Sequence, residues 1–222
     1  KKVLQKTAKR FTKGLSLVPE SNERVLCKWV EHADSQYHLQ LSFSCEGEWH
    51  KDSPAYDLIS YILADGFLAR LPLRLREELG LVYDISCELN QFTDMGTLDI
   101  EASVVCEQID LFLKELGMVL ANFIQSGPTE KELAKAKHRA LIDLDLLVSD
   151  HEALSFRYAW HGLYKKSSSI IEEKKAIQNI SVEEIKEVTL RLFKKSRCGL
   201  VLLGPSFEGL ESRAKDILNQ YL

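Results

Sequence analysis

Two stretches of the chain alternate apolar and polar residues without a break. In the first, Tyr37, Leu39, Leu41, Phe43 and Cys45 alternate with His38, Gln40, Ser42 and Ser44. In the second, Leu98, Ile100, Ala102 and Val104 alternate with Thr97, Asp99, Glu101 and Ser103. A period of two is that of a β-strand. A strand apolar on one face only belongs to a sheet covered on one side, which antiparallel sheets tolerate. These stretches therefore demand helices on a single face, and the remainder of the chain must supply them.

The order of elements agrees. Strands are expected over Arg24–Glu31 and Tyr37–Cys45, with His32–Gln36 as the turn between them. Ser53 and Pro54 are expected to open a helix to Ala64, as N-cap and first helical residue. Leu81–Leu89 and Thr97–Val105 read as an antiparallel hairpin through Asn90–Gly96. Helical stripes follow from Ile109, broken at Ser126-Gly127-Pro128. Thr129 with Glu132 and Ser181 with Glu184 read as capping boxes, with Ile180 and Ile185 as a hydrophobic staple. Cys198–Leu203 is a short apolar run read as an interior strand, and Phe207–Leu222 a closing helix with Ser206 at its start. Strands and helices are segregated, which predicts an α+β fold with a largely antiparallel sheet of about five strands. Residues 1–20 read as a linker or N-terminal helix, and 21–222 as one α+β domain.

Between the two strand pairs lies Ala64–Tyr83. Leu68, Leu71, Leu75 and Leu79 make a helical stripe from about Phe67, and Gly80 suits the left-handed residue that ends a helix. Arg76 falls about 100° round from Leu75, at the edge of the stripe. Tyr83 follows three residues after Gly80, and by strict alternation shares a face with Leu81, Ile85, Cys87 and Leu89. On periodicity alone Arg76 reads as an arginine whose stem covers apolar surface, and Tyr83 as a core tyrosine.

Charge and motifs exclude several functions. A net charge of -4 argues against nucleic-acid binding driven by global charge. The cluster Lys1, Lys2, Lys6, Lys9, Arg10 and Lys13 reads first as a solvated helix or linker and second as a site for an anionic partner. No apolar run approaches the length of a membrane span. The chain opens on Lys1, which reads as a fragment or processed chain. Five widely spaced cysteines with no C-x-x-C suggest small core residues in a reducing compartment. We therefore expect the cytoplasm, with periplasm or organelle as alternatives. Among six histidines none stand at i, i+4, and neither H-E-x-x-H nor H-x-x-E-H occurs. Gly204–Gly209 is spaced one residue too wide for a nucleophile elbow.

The stretch Gly66, Arg70-Leu71, Leu75-Arg76-Glu77, Gly80-Leu81 and Tyr83 resembles, in fixed register, the insulinase/pitrilysin family of zinc metallopeptidases. More narrowly it is similar to the zinc-free second half of members related to mitochondrial processing peptidase. Gln36 before the second strand, the Ser126–Leu133 break, the Ile180–Ile185 cap and Leu203-Gly204-Pro205 extend the resemblance over nearly the whole chain. It implies two homologous halves closing on a peptide, with zinc on the partner half only. This half would contribute Arg76 and Tyr83, which by resemblance contact substrate and transition state. It also implies that the chain alone is inactive, that it holds no cofactor, and that its partners are the zinc half and a peptide substrate, with a dimer also allowed. A structural subunit of the same family is the alternative. Pro72-Leu73-Arg74 departs from the usual helix formers, and Pro72 marks where a kink is expected ahead of Arg76.

Overall fold

The computed structural model describes residues 25–164 and 169–222. The basic cluster at 1–13, the expected linker over 1–20, Arg24 and most of the loop at 165–169 lie outside the described residues.

The strands are β1 (Leu26–Glu31), β2 (Gln36–Glu46), β3 (Val82–Gln91), β4 (Met95–Val105) and β5 (Cys198–Gly204). The α-helices are α1 (Ser53–Ala64), α2 (Ile109–Ser126), α3 (Glu130–Ser149), α4 (His151–Leu163), α5 (Ile170–Asn179), α6 (Val182–Leu192) and α7 (Leu210–Tyr221). A π-helix, Pro72–Glu78, precedes β3. The strands form one sheet in the order β1-β5-β2-β4-β3. All pairings are antiparallel except β1 with β5. The α+β expectation holds, and the core lies between one sheet face and the helices. Tyr37, Leu39, Leu41, Phe43, Leu98, Ile100 and Val104 are all at most 3% exposed on that side. Helices α1, α2, α6 and α7 pack on it. The alternate residues of β2 and β4 leave the other face open.

Several local expectations are corrected. β1 and β2 are not neighbours, because β5 lies between them and the His32 amide donates to the Gly204 carbonyl (2.8 Å). Asp52, not Ser53, is the N-cap of α1; the Ser53 hydroxyl donates to Gln91 Oε1 (2.7 Å). Gly209, in the left-handed region at φ 76°, starts α7, and Ser206 does not cap it. The Thr129–Glu132 and Ser181–Glu184 capping boxes form as read, and Ile180 packs on the core that holds Ile185. A third box, Ser169 with Glu172, starts α5.

Gly204 is where three strands meet most tightly. A Cβ there would lie 2.3 Å from Tyr37 Cδ1 and 2.9 Å from the Gln36 carbonyl oxygen. Tyr37 cannot retreat, because it is buried and its hydroxyl donates to the Pro205 carbonyl (3.1 Å). Gly204→Ala is therefore expected to cost about 1–3 kcal/mol through overpacking, read as a lower urea midpoint at unchanged m-value. Parental stability would contradict this packing.

Candidate functional site

The expected helix over Phe67–Leu79 is shorter and of another kind. Phe67 and Leu68 lie in a turn, with Leu68 78% exposed, so it leaves the apolar stripe. Pro72 is the first residue of the π-helix, where its missing N–H costs nothing. The kink expected at Pro72 is instead a change to i→i+5 hydrogen bonding, a form found often at functional sites. Leu71 and Leu75 stay fully buried while Arg76, next to Leu75, is partly exposed.

Both ends of this segment are fixed. At its start, Arg70 holds Glu132 through two hydrogen bonds (Nε–Oε1 2.6 Å, Nη2–Oε2 2.9 Å) and donates to the Gly127 carbonyl (2.9 Å). Its guanidinium carbon lies 4.9 Å from the Phe123 ring centre. Arg70 thus ties the π-helix to the α2–α3 break. At its end, the Leu81 amide donates to the Leu75 carbonyl (2.9 Å) and the Gly80 amide to the Arg76 carbonyl (3.1 Å). With Gly80 in the left-handed region at φ 60°, this pair of bonds is a Schellman-like closure widened by one residue, as the end of a π-helix requires. Leu75 and Leu81 supply its apolar contact, being 0% and 4% exposed.

β3 then begins with a bulge. Val82 pairs with Val104 and Ile85 with Ala102, so Tyr83 and Asp84 together face the single position of Ser103. Val82 and Ile85 both point into the core (7% and 5% exposed). Tyr83 is turned onto the open face, 89% exposed. Strict alternation placed it in the core; the extra residue resets the register, and that is why the reading from periodicity fails here.

Arg76 and Tyr83 come together. The Arg76 guanidinium carbon lies 5.5 Å from the Tyr83 ring centre and 5.2 Å from that of Phe67, within cation–π range of both. Its ion pair is with Glu77 at 3.5 Å. Among the described residues the guanidinium donates no side-chain hydrogen bond, so its planar fork is available to a ligand. Arg76, Phe67, Pro72, Asp84 and Ile85 line a cleft of about 170 Å³. Across the Tyr83–Asp84 wall, a second cleft of about 440 Å³ is lined by Tyr83, Asp84, Ser86, His38, Glu101 and Ser103, with Gln36, Leu39 and Ala102. Both groups are held by main-chain geometry and can donate hydrogen bonds to an oxygen of a bound molecule.

Among the described residues no group of three His, Cys, Asp or Glu side chains could hold a metal ion. No described helix is long and apolar enough to cross a membrane. Two features escaped the sequence reading. The Arg70–Glu132 clamp was hidden because Arg70 was seen only as a motif position. A Ser103–His38–Asp34 hydrogen-bonded row was hidden because strand order is not visible in alternation.

Comparison with known proteins gives a consistent picture. Residues 12–140 match the family model described as the peptidase M16 inactive domain. An uncharacterized zinc protease of Mycobacterium tuberculosis is 29% identical over 177 residues, 79% of this chain and 40% of that protein. One from Rickettsia bellii is 26% identical over 152 residues, 67% of this chain and 36% of the relative. The chain thus spans about 40% of the length of the first such relatives. Among solved structures, the peptidase M16 inactive domain from Pseudomonas fluorescens superposes with a TM-score of 0.72 at 26% identity, over 83% of this chain and 44% of that one. A chain of complex III from Candida albicans has a TM-score of 0.75 at 16% identity, over 86% and 49%, a likeness of fold alone.

The clamp gives a test. Burial pushes the Glu132 carboxyl up, but the Arg70 hydrogen bond and those from the Thr129 amide and hydroxyl outweigh it and leave the group at about 2. A carboxylate held below its ordinary value contributes stability above about pH 4.5 that is lost as pH falls towards 2. Arg70→Met is therefore expected to cost about 1–3 kcal/mol near neutral pH. Urea unfolding across a pH series should show the difference from the parent closing on the acid side. A difference independent of pH would contradict the clamp.

Proposed function

Because the chain belongs to the peptidase M16 inactive domain family, we propose that it is the zinc-free half of a zinc metalloendopeptidase, completing a site whose metal and base lie on a homologous half. In this reading residues 21–222 form the domain. The zinc half lies elsewhere in the same polypeptide or in a partner subunit, and the assembly acts on peptides, as a dimer or otherwise. No group among the described residues fits a zinc ion, which supports a half that is inactive alone and contributes binding and polarisation. The five cysteines, all unpaired, support a reducing compartment, the cytoplasm.

The observation that carries the proposal is the bulge, which turns Tyr83 out at 89% exposure beside an Arg76 with donors to spare. Attack on a peptide carbonyl builds negative charge on its oxygen. A Tyr O–H held on a sheet can donate to that oxyanion, and the held geometry needs little reorganisation as the charge forms. Arg76, always charged and planar, can bind a neighbouring carbonyl or share the oxyanion. Phe67 and Tyr83 hold the guanidinium between their faces, which limits its rotamers before the peptide arrives.

In the complete protein, Tyr83→Phe is expected to lower kcat by roughly 10²-fold or more, the scale of losing one oxyanion donor. Tyr83 is exposed, so its thermal midpoint should stay near the parental one. Arg76→Ala should act in the same direction on kcat/KM. Unchanged turnover in both variants would refute the assignment and favour the alternative of a structural subunit, which has no use for either side chain.

A further inference from the structure

The larger cleft beside Tyr83 has a polar floor built from three strands and a turn. His38 on β2 stands directly across from Ser103 on β4, and its Nδ1 lies 2.8 Å from the Ser103 hydroxyl. Its Nε2 lies 3.1 Å from Asp34 Oδ2. The other oxygen of Asp34 accepts from the amides of Ser35 (2.6 Å) and Gln36 (3.3 Å). The hydrogen bond from His38, followed by that from Ser35, holds the Asp34 carboxyl below the usual range, so it is ionised and can only accept. His38 Nε2 must then carry a hydrogen. In the neutral imidazole Nδ1 is left as an acceptor, and the Ser103 O–H is spent on it. Ser103 Oγ therefore offers lone pairs alone: the row turns a two-way hydroxyl into a dedicated acceptor.

Ser103 is also the residue that the Tyr83–Asp84 bulge faces, so this acceptor and the Tyr83 donor are cross-strand neighbours lining one cleft. Asp84 and Glu101 line it too, and among the described residues no lysine or arginine does. Asp84, Glu101 and Ser103 favour a hydrogen-bond donor as ligand, while Tyr83, Ser86 and the carboxamide of Gln36 can also donate. We propose that Ser103, with His38 and Asp34 behind it, is a specificity-determining residue that takes an N–H donor of the bound peptide beside Tyr83. This rests on the reading of the chain as a peptidase half and adds to it a second point of attachment for substrate. The donor is a main-chain amide or a lysine or arginine side chain; both present the same chemistry to Ser103.

The test uses the complete protein and a fluorescein-labelled, lysine-containing synthetic peptide, followed both by cleavage and by fluorescence anisotropy. Ser103→Ala should weaken binding roughly 5- to 20-fold, the worth of one hydrogen bond, and act chiefly on KM. Ser103→Thr should restore most of the affinity. His38→Phe should weaken binding similarly, and the double variant should be no weaker than the worse single one, because His38 acts through Ser103. Peptides with single N-methylated amides, and one with lysine replaced by norleucine, identify the donor: the correct replacement abolishes the difference between parent and Ser103→Ala. The proposal is overturned if Ser103→Ala binds the peptide as the parent does, or if the His38 and Ser103 effects simply add. Anisotropy keeps the outcomes apart. Unchanged turnover in Tyr83→Phe and Arg76→Ala, with the Ser103 effect on binding intact, would sink the catalytic reading and leave this one standing.

Discussion

Between Leu75 and Ile85 the backbone passes through three hydrogen-bonding patterns, from i→i+5 turns to a closure across Gly80 to a bulged ladder. Each change is imposed by burial. Leu75 and Leu81 must both reach the core, and the closure across Gly80 lets them do so. Val82 and Ile85 must both reach it as well, and a strand with two residues between them can manage this only by bulging. The extra residue has nowhere to go but the open face. Tyr83 is exposed because its neighbours are buried, and Arg76 sits under it because the π-helix ends there. The rest of the site depends on that short run of main chain.

Much of the fold was legible from alternation and capping. The one-sided strands β2 and β4, the hairpin of β3 and β4, and the Thr129 and Ser181 boxes follow from local chemistry, which residue patterns report well. What failed was non-local or non-periodic. The insertion of β5 between β1 and β2 depends on which apolar edge finds which partner, and the tight fit of Gly204 against Tyr37 has no sequence signature beyond a glycine. Leu68 matched a helical stripe that begins later than it does. Tyr83 was misplaced by periodicity because a bulge breaks the period without leaving a mark, and only the family motif pointed to it.

The open sheet face gathers the features left without a packing role. Tyr83, Arg76, Asp84, Glu101 and the Ser103–His38–Asp34 row are arranged round two adjoining clefts, while the helix side is filled with apolar residues. A domain whose polar groups converge on its uncovered sheet face is suited to binding a ligand there. The Arg70–Glu132 clamp belongs to the same design, since it anchors the π-helix from behind and leaves Arg76 as the arginine with donors to spare.

The most direct test of the account is a structure of the complete protein with a peptide carrying a phosphinate in place of the scissile amide, which mimics the tetrahedral species. The account expects the Tyr83 hydroxyl within about 3 Å of a phosphinate oxygen, with Arg76 on the same oxygen or on an adjacent carbonyl. A bound analogue that leaves Tyr83 and Arg76 in solvent would contradict it.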